Sequence, residues 1–450
     1  MDCSYLYNHI ELNTGIQRVV RRVIENLEIL SHKNGIEVIP VNISHHNFFR
    51  VDIKELYEQK RSLASATTAT RMDIKTRAKN YLIPLYEGFQ KFLVTLLPRR
   101  KFKAFVYAPR HQFGMGYVIE KVLLHPVRKA MSIRRADRNR HVDGTILIGK
   151  EDVLILIDSS WYMNIWPTVK KFKQQDATVI GIIYDLIPIT NAEFCDAFLA
   201  SVFKEFFYES LNYVDGYIAI SDTVKKDLII FLEDEFGNTA IQEKKFDYFF
   251  LGSDFNYAQN QVVGVRNELK KSFKGYPTYL IVSTVEPRKN HEYLLDVFDM
   301  LWEQGMEIKL CIIGRMGWRV EKTAKRIYGH RFFNEKLLYW SDLNDEELQF
   351  CYENSKMLLF PSIVEGFGLP IVESLTNGLP VLASDIPIHR EVGKDRIGYF
   401  DLQDTHDLKN QLARIETQGI PDKLVPDENY KWQNWHESTN ELLEKINLMS

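Results

Sequence analysis

"FPSIVEGFGLPIVESLTNGLPVLAS", residues 360–384, sets an apolar strand, a loop with two glycines and a proline, and an apolar helix in direct succession. Two carboxylates, Glu365 and Glu373, flank the Gly-Phe-Gly-Leu-Pro turn. The run predicts a strand ending near Pro361–Ser362, a turn through Gly366 and Gly368, and a helix from about Pro370. Glycines let backbone approach a ligand closely, and the N–H groups at a helix start carry partial positive charge, so the turn suits an anion. Pro370 in the first helical turn removes no donor the helix needs. At the carboxyl edge of a parallel sheet, both glutamates would face one cleft, where a carboxylate can accept hydrogen bonds from vicinal hydroxyls. Taken singly, each glutamate reads as an ordinary loop or helix residue.

Outward from this stretch the chain alternates strands and helices. Runs rich in β-branched residues, apolar on both faces, predict buried parallel strands at 36–43, 153–157, 178–184 and 216–221, then at 278–284, 308–314, 357–362 and 380–384. Helical patterns fall between them, as in "GIQRVVRRVIENLEIL" and "HEYLLDVFDMLWEQG". The fold class read from this is α/β, with two doubly wound units. A polar stretch at 256–276 marks the junction between two halves, residues 1–262 and 263–425. Residues 426–450 end in an amphipathic helix with Leu442, Leu443 and Ile446 on one side.

At 450 residues, two cores are expected. Hydrophobic residues at 45% and charged residues at 26% exclude a wholly disordered chain. Four scattered cysteines without a CxxC argue against a disulfide framework or zinc site and point to a reducing compartment. The N-terminus lacks a basic and an apolar region, so a cytoplasmic protein is expected. The net charge of −3 conceals an asymmetry, because residues 60–140 hold 19 Lys and Arg against 4 Asp and Glu. This basic region falls in a stretch, about 50–150, that fits the α/β pattern poorly. Leu82, Leu85, Phe89, Phe92 and Leu96 form an apolar stripe beside Arg99, Arg100, Lys101 and Lys103. Two readings stand: a segment that meets an anionic membrane surface, or a core-facing helix with a solvated basic end. No nucleic-acid module is recognisable, so nucleic acid is not an expected partner.

Two further loops resemble anion sites. "VEPRKNHEYLL" carries Arg288 and Lys289 between a strand and a helix, a pair suited to a diphosphate. "ELNTGIQRVV" places Gly15 before a long helix with Arg18 in its first turn. Each alone reads equally as solvated charge or an ordinary cap.

Together these motifs resemble the family 4 glycosyltransferases of the GT-B fold, retaining enzymes whose two Rossmann-like domains face across an interdomain cleft. The family's E-x7-E element resembles Glu365 through Glu373, its basic pair Arg288–Lys289, and its glycine loop "NTGIQR". "YIAISDTVKKDL" and "FFLGSD" resemble the run that closes the first domain. The likeness covers roughly residues 10–50 and 150–450. It implies that Arg288 and Lys289 neutralise the donor diphosphate, Glu373 holds the ribose, and Glu365 contacts the donor sugar. The amides of Gly366, Phe367, Gly368 and Leu369 would line sugar and phosphate, and Gly15 would let the first domain close over the diphosphate. Where the family often has a His-Asp pair, this chain has Tyr184 and Asp185. Asp185 is therefore carried as a catalytic candidate, with helix capping as its alternative role, and the carry-over of a histidine role is in doubt.

No Asp-x-Asp motif is present, so neither a metal nor another cofactor is expected, and a leaving diphosphate would rely on cations and helix N-termini. The resemblance implies transfer of a hexose, with mannose from GDP-mannose as the first expectation. The acceptor would be a saccharide, lipid-linked on the first reading, in O-antigen or capsule assembly at the inner face of the cell membrane. The alternatives are a soluble acceptor with a UDP- or dTDP-sugar donor, or an inactive module that binds glycans or partner enzymes.

Overall fold

Seven of the eight apolar runs form two parallel sheets in a computed structural model that describes residues 1–10, 15–34, 36–44, 47–53, 55, 146, 148–253 and 264–450. One unit comprises residues 1–46 and 147–450, and a second residues 47–146. Strand β1 (Val41–Ser44) belongs to the first unit; β2 (Asn47–Arg50) belongs to the second. The basic stripe expected at 60–140 lies outside the described residues, as does the part of the expected junction at 256–263. The remainder of that junction holds a short helix, Asn267–Ser272.

The first sheet runs β3 (Val153–Leu156), β4 (Thr178–Ile183), β5 (Gly216–Ala219) and β6 (Lys245–Tyr248), all parallel. The segment Met1–Cys3 extends it beyond β3. Asp2 N donates to Ile155 O at 2.8 Å, and Cys3 N donates to Val41 O at 2.9 Å.

The second sheet holds β7 (Thr278–Val282), β8 (Lys309–Ile313), β9 (Leu337–Trp340), β10 (Met357–Phe360), β11 (Val381–Ser384) and β12 (Gly398–Phe400). Its order, β12-β11-β10-β7-β8-β9, is the Rossmann order, and the winding reverses between β7 and β10. Every residue of β8, β10 and β11 is buried, as continuous apolar runs require of strands covered on both faces. The helix His291–Glu303 buries Leu294, Val297, Phe298 and Leu301 in this core. Strands β9 and β12 were not read from the sequence; both are short and lie at the sheet's edges, where the apolar pattern weakens.

The helix Trp435–Met449 opens with a capping box between Asn434 and Glu437 and buries Leu442, Leu443 and Ile446. It packs on the helix Gly15–Asn34 and on β6. Lys245 Nζ donates to Met449 O at 2.6 Å. Gly252 is needed here, because a Cβ would lie 2.6 Å from the Trp435 backbone. All four cysteines are buried free thiols. Among the described residues no helix is long and apolar enough to cross a membrane.

Candidate active site

The second sheet's switch point gathers the predicted cations. After β7 the chain makes a 3₁₀ turn, Pro287–Lys289, passes through Asn290 in the left-handed region (φ 55), and enters the helix His291–Glu303. After β10 it runs through Pro361–Gly368 into the helix Leu369–Thr376. The two loops are tied together where Ile363 N donates to Arg288 O at 2.8 Å.

Arg288 and Lys289 converge on Glu365. Arg288 Nη1 donates to Glu365 Oε2 at 2.6 Å, and Lys289 Nζ donates to Oε1. Arg288 Nη2 also reaches Glu286 Oε1 at 2.8 Å. Burial alone would raise the Glu365 carboxyl, but the charges of Arg288 and Lys289 outweigh it and hold the group below the usual carboxylate range. Glu286 moves the opposite way, pushed up by burial despite the same two cations. The cluster thus keeps one firmly ionised carboxylate bridging two cations, the arrangement an anionic phosphate oxygen would also satisfy.

Glu373 lies one turn into the helix Leu369–Thr376, with its side chain 4% exposed. Tyr352 Oη donates to its Oε2 at 2.9 Å, and Arg18 of the first half donates to Oε1. Gly368 caps this helix at φ 99, a left-handed conformation that favours glycine. The Leu369 amide follows directly. The Phe367 side chain packs against Phe250 and Trp432, with ring centroids 6.0 Å from each.

Gly366 has a second reason for being glycine. A Cβ there would lie 2.1 Å from the Tyr184 carbonyl oxygen and 3.2 Å from Asp185 Cβ. The loop therefore touches the first sheet directly, and Ser221 Oγ donates to Gly366 O at 3.1 Å. The Tyr184 hydroxyl donates to Ile157 O at 2.8 Å, and Tyr184 lines one cavity with Asp185 and Arg288. Asp185 does cap the segment after it, accepting from Ile187 N at 3.0 Å, yet it also faces Arg288. Burial raises its carboxyl, and Arg288 opposes that shift. Gly15 starts its helix with open space around it: a Cβ would meet nothing within 4 Å. A cavity of about 190 Å³ is lined by Asp185, Arg288, Ile16, Trp161, Phe203 and Trp318 together with other residues of the first half.

Several participants carried no readable signal. Glu391 accepts from the backbone N–H groups of Asp222 and Thr223, each at 2.8 Å, and so binds the N-terminus of the helix Asp222–Phe236 from the opposite half. Trp318 Nε1 donates to Phe194 O at 2.8 Å, a further link across the junction. Tyr352 likewise sits in an unremarkable sequence context. Only Glu286, next to the Pro-Arg-Lys turn, had a neighbourhood that could have flagged it.

Two histidines border the site in neutral form. Burial, with help from Lys289, takes His291 down to about 3. His389, behind Gly368, is pulled down to about 4, chiefly by burial. Among the described residues no three His, Cys, Asp or Glu side chains gather in a metal-ligating cluster.

Residues 266–431 match the family described as "Glycosyl transferases group 1", a span that contains Arg288, Lys289, Glu365 and Glu373. The second half therefore carries a glycosyltransferase group 1 domain. The "Serotype-specific mannosyltransferase WbdA" of Escherichia coli is 27% identical over 318 residues, covering 68% of this chain and 38% of that protein. The "O-antigen chain mannosyltransferase B" of Escherichia coli is 32% identical over 133 residues, 29% of this chain and 34% of that one. The "O-antigen chain mannosyltransferase RfbU" of Salmonella typhimurium is 26% identical over 162 residues, 36% and 43% of the two chains. The match spans well under half the length of each of these relatives.

Proposed function

We propose that this chain is a retaining GT-B glycosyltransferase that moves a hexose from a nucleoside diphosphate sugar to a saccharide hydroxyl. In this reading residues 263–425 hold the donor, residues 1–262 receive the acceptor, and residues 426–450 brace the first half. The observation that carries it is the convergence of Arg288 and Lys289 on one carboxylate at the switch point of a Rossmann-ordered sheet. Such crevices bind nucleotides.

Arg288 and Lys289 neutralise the diphosphate as it leaves, and Glu365, exchanged off the cations, accepts donor-sugar hydroxyls. The amides of Gly366, Phe367, Gly368 and Leu369 line sugar and phosphate, and Gly15 lets the first half's backbone approach the diphosphate. Glu373 accepts the ribose hydroxyls. Asp185 faces Arg288 from the acceptor side, beside the cavity that Trp161 and Phe203 help to line. Attack comes from the front face, with the departing phosphate oxygen taking the acceptor's proton. No metal enters this scheme; the positive charge comes from side chains and helix N-termini.

The mannosyltransferase relatives support mannose from GDP-mannose as the donor and O-antigen-type polysaccharide as the product. A lipid-linked acceptor at an anionic membrane, engaged through residues 60–140, completes the reading. The test is nucleotide release by the purified full chain from GDP-mannose, other GDP-sugars, UDP-sugars and dTDP-sugars, with membrane extract as acceptor source. Release from one donor, lost in Arg288→Ala and Glu365→Ala, is expected. Release from none of them overturns the reading and leaves a binding module. Release that proceeds equally without membranes overturns the lipid-linked acceptor alone.

A further inference from the structure

The helix Gly15–Asn34 buries Val19, Val20, Val23, Ile24 and Leu27 and packs on the helix Trp435–Met449, while Arg18 in its first turn is directed elsewhere. The guanidinium crosses to the second half and donates to Glu373 Oε1. Its neighbour Gln17 fastens the same turn to the first sheet, with Nε2 donating to Ser159 Oγ at 2.9 Å. Arg18 therefore projects from an anchored turn.

Without Arg18, the hydrogen bonds to the Glu373 carboxylate among the described residues reduce to that from Tyr352 Oη at 2.9 Å. One neutral donor is poor compensation for a carboxylate whose side chain is 4% exposed. A carboxylate has about four acceptor positions, so Arg18 and Tyr352 together leave room for two more hydrogen bonds. Two vicinal ribose hydroxyls require that number. The charge of Glu373 in turn holds the Arg18 guanidinium firmly protonated.

We propose that Arg18 is a positioning residue for Glu373, supplied by the first half to the nucleotide site of the second. Ribose recognition then depends on contact between the halves, although the ribose-binding carboxylate lies wholly on one of them. This rests on the reading of Glu373 as the ribose-binding group.

The experiment is calorimetric titration of the full chain with GDP and with 2′,3′-dideoxy-GDP, using UDP and dideoxy-UDP in the same way if uridine is the base bound. Arg18→Ala is expected to weaken binding of the ribonucleotide about tenfold. Binding of the dideoxy compound should change by less than about twofold, because the effect passes through the hydroxyls. Arg18→Lys, which keeps the charge, should recover part of the loss, and it carries the comparison if Arg18→Ala fails to fold. Equal losses for both nucleotides would reassign Arg18 to general charge or stability and overturn the proposal. Unchanged binding would also overturn it while leaving the transferase reading intact. A wild-type chain that binds no nucleotide overturns both.

Discussion

The two sheets turn the same topological feature to opposite ends. In the first, the winding reverses between Met1–Cys3 and β3, and two carboxylates stand there. Asp2 accepts from Ser4 N at 2.9 Å, Ser4 Oγ at 2.5 Å and Ser160 Oγ at 2.6 Å. Asp158 accepts from Leu6 N at 2.6 Å and Ser159 N at 2.7 Å. Burial and the nearby Asp2 push the Asp158 carboxyl upward, and no cation is among their hydrogen-bond donors. The chain's own donors satisfy this edge. At the second sheet's edge the same place holds Arg288 and Lys289 against Glu365. A doubly wound fold thus supplies a crevice twice, and the side chains decide that the carboxylates of one are met by the chain's own neutral donors while the proposed donor site of the other is built on cations.

Substitutions should separate the two edges. The largest effect is expected from Arg288→Ala, which should cut transfer at least about a hundredfold, some 3 kcal/mol of barrier, measured as nucleotide release under saturating donor. Asp2→Ala should act on folding instead. It leaves three buried donors without their acceptor and should cost about 2 to 3 kcal/mol in urea unfolding. An Asp2→Ala protein with undiminished stability but no activity would break the contrast.

Gly366→Ala should fall below these. Its Cβ meets the Tyr184 carbonyl at 2.1 Å, so the halves must shift, at about 2 kcal/mol of stability by thermal unfolding, with donor affinity reduced as well. A pH dependence stands apart from these substitutions, because it is graded rather than set by one contact. His291 and His389 titrate in the folded chain near 3 and 4, against 6.5 for the ordinary imidazole. The unfolded chain therefore binds their protons first. Stability should be full above pH 6.5 and fall as pH drops toward 4, by up to about 1.4 kcal/mol per pH unit for each histidine. His389→Asn should flatten that slope in urea unfolding followed from pH 7 to pH 4; an unchanged slope would mean that other groups set it.

Much of this architecture was legible in the residues. Seven of the eight apolar runs read as buried strands coincide with strands, because a strand covered on both faces must be apolar throughout, and that pattern is local; the run at 36–43 is a strand only from Val41, and there buried and half-buried residues alternate. The Arg288–Lys289 turn and the Gly366–Gly368 loop were readable for the same reason: each motif lies within a few residues of a strand end. The helix Trp435–Met449 also announced itself, through Leu442, Leu443 and Ile446 at helical spacing.

The tertiary structure alone decided what meets what. Nothing local indicates that Arg18 reaches Glu373, that Glu391 caps a helix in the other half, or that Gly366 exists to clear the Tyr184 carbonyl. Those partners lie between 145 and 355 residues apart for the hydrogen-bonded contacts from Ser221 to Gly366 and from Arg18 to Glu373. The sequence determines each element through short-range periodicity and backbone preference. Packing the two halves against each other brings Arg18 to Glu373, where burial makes an unpaired charge costly.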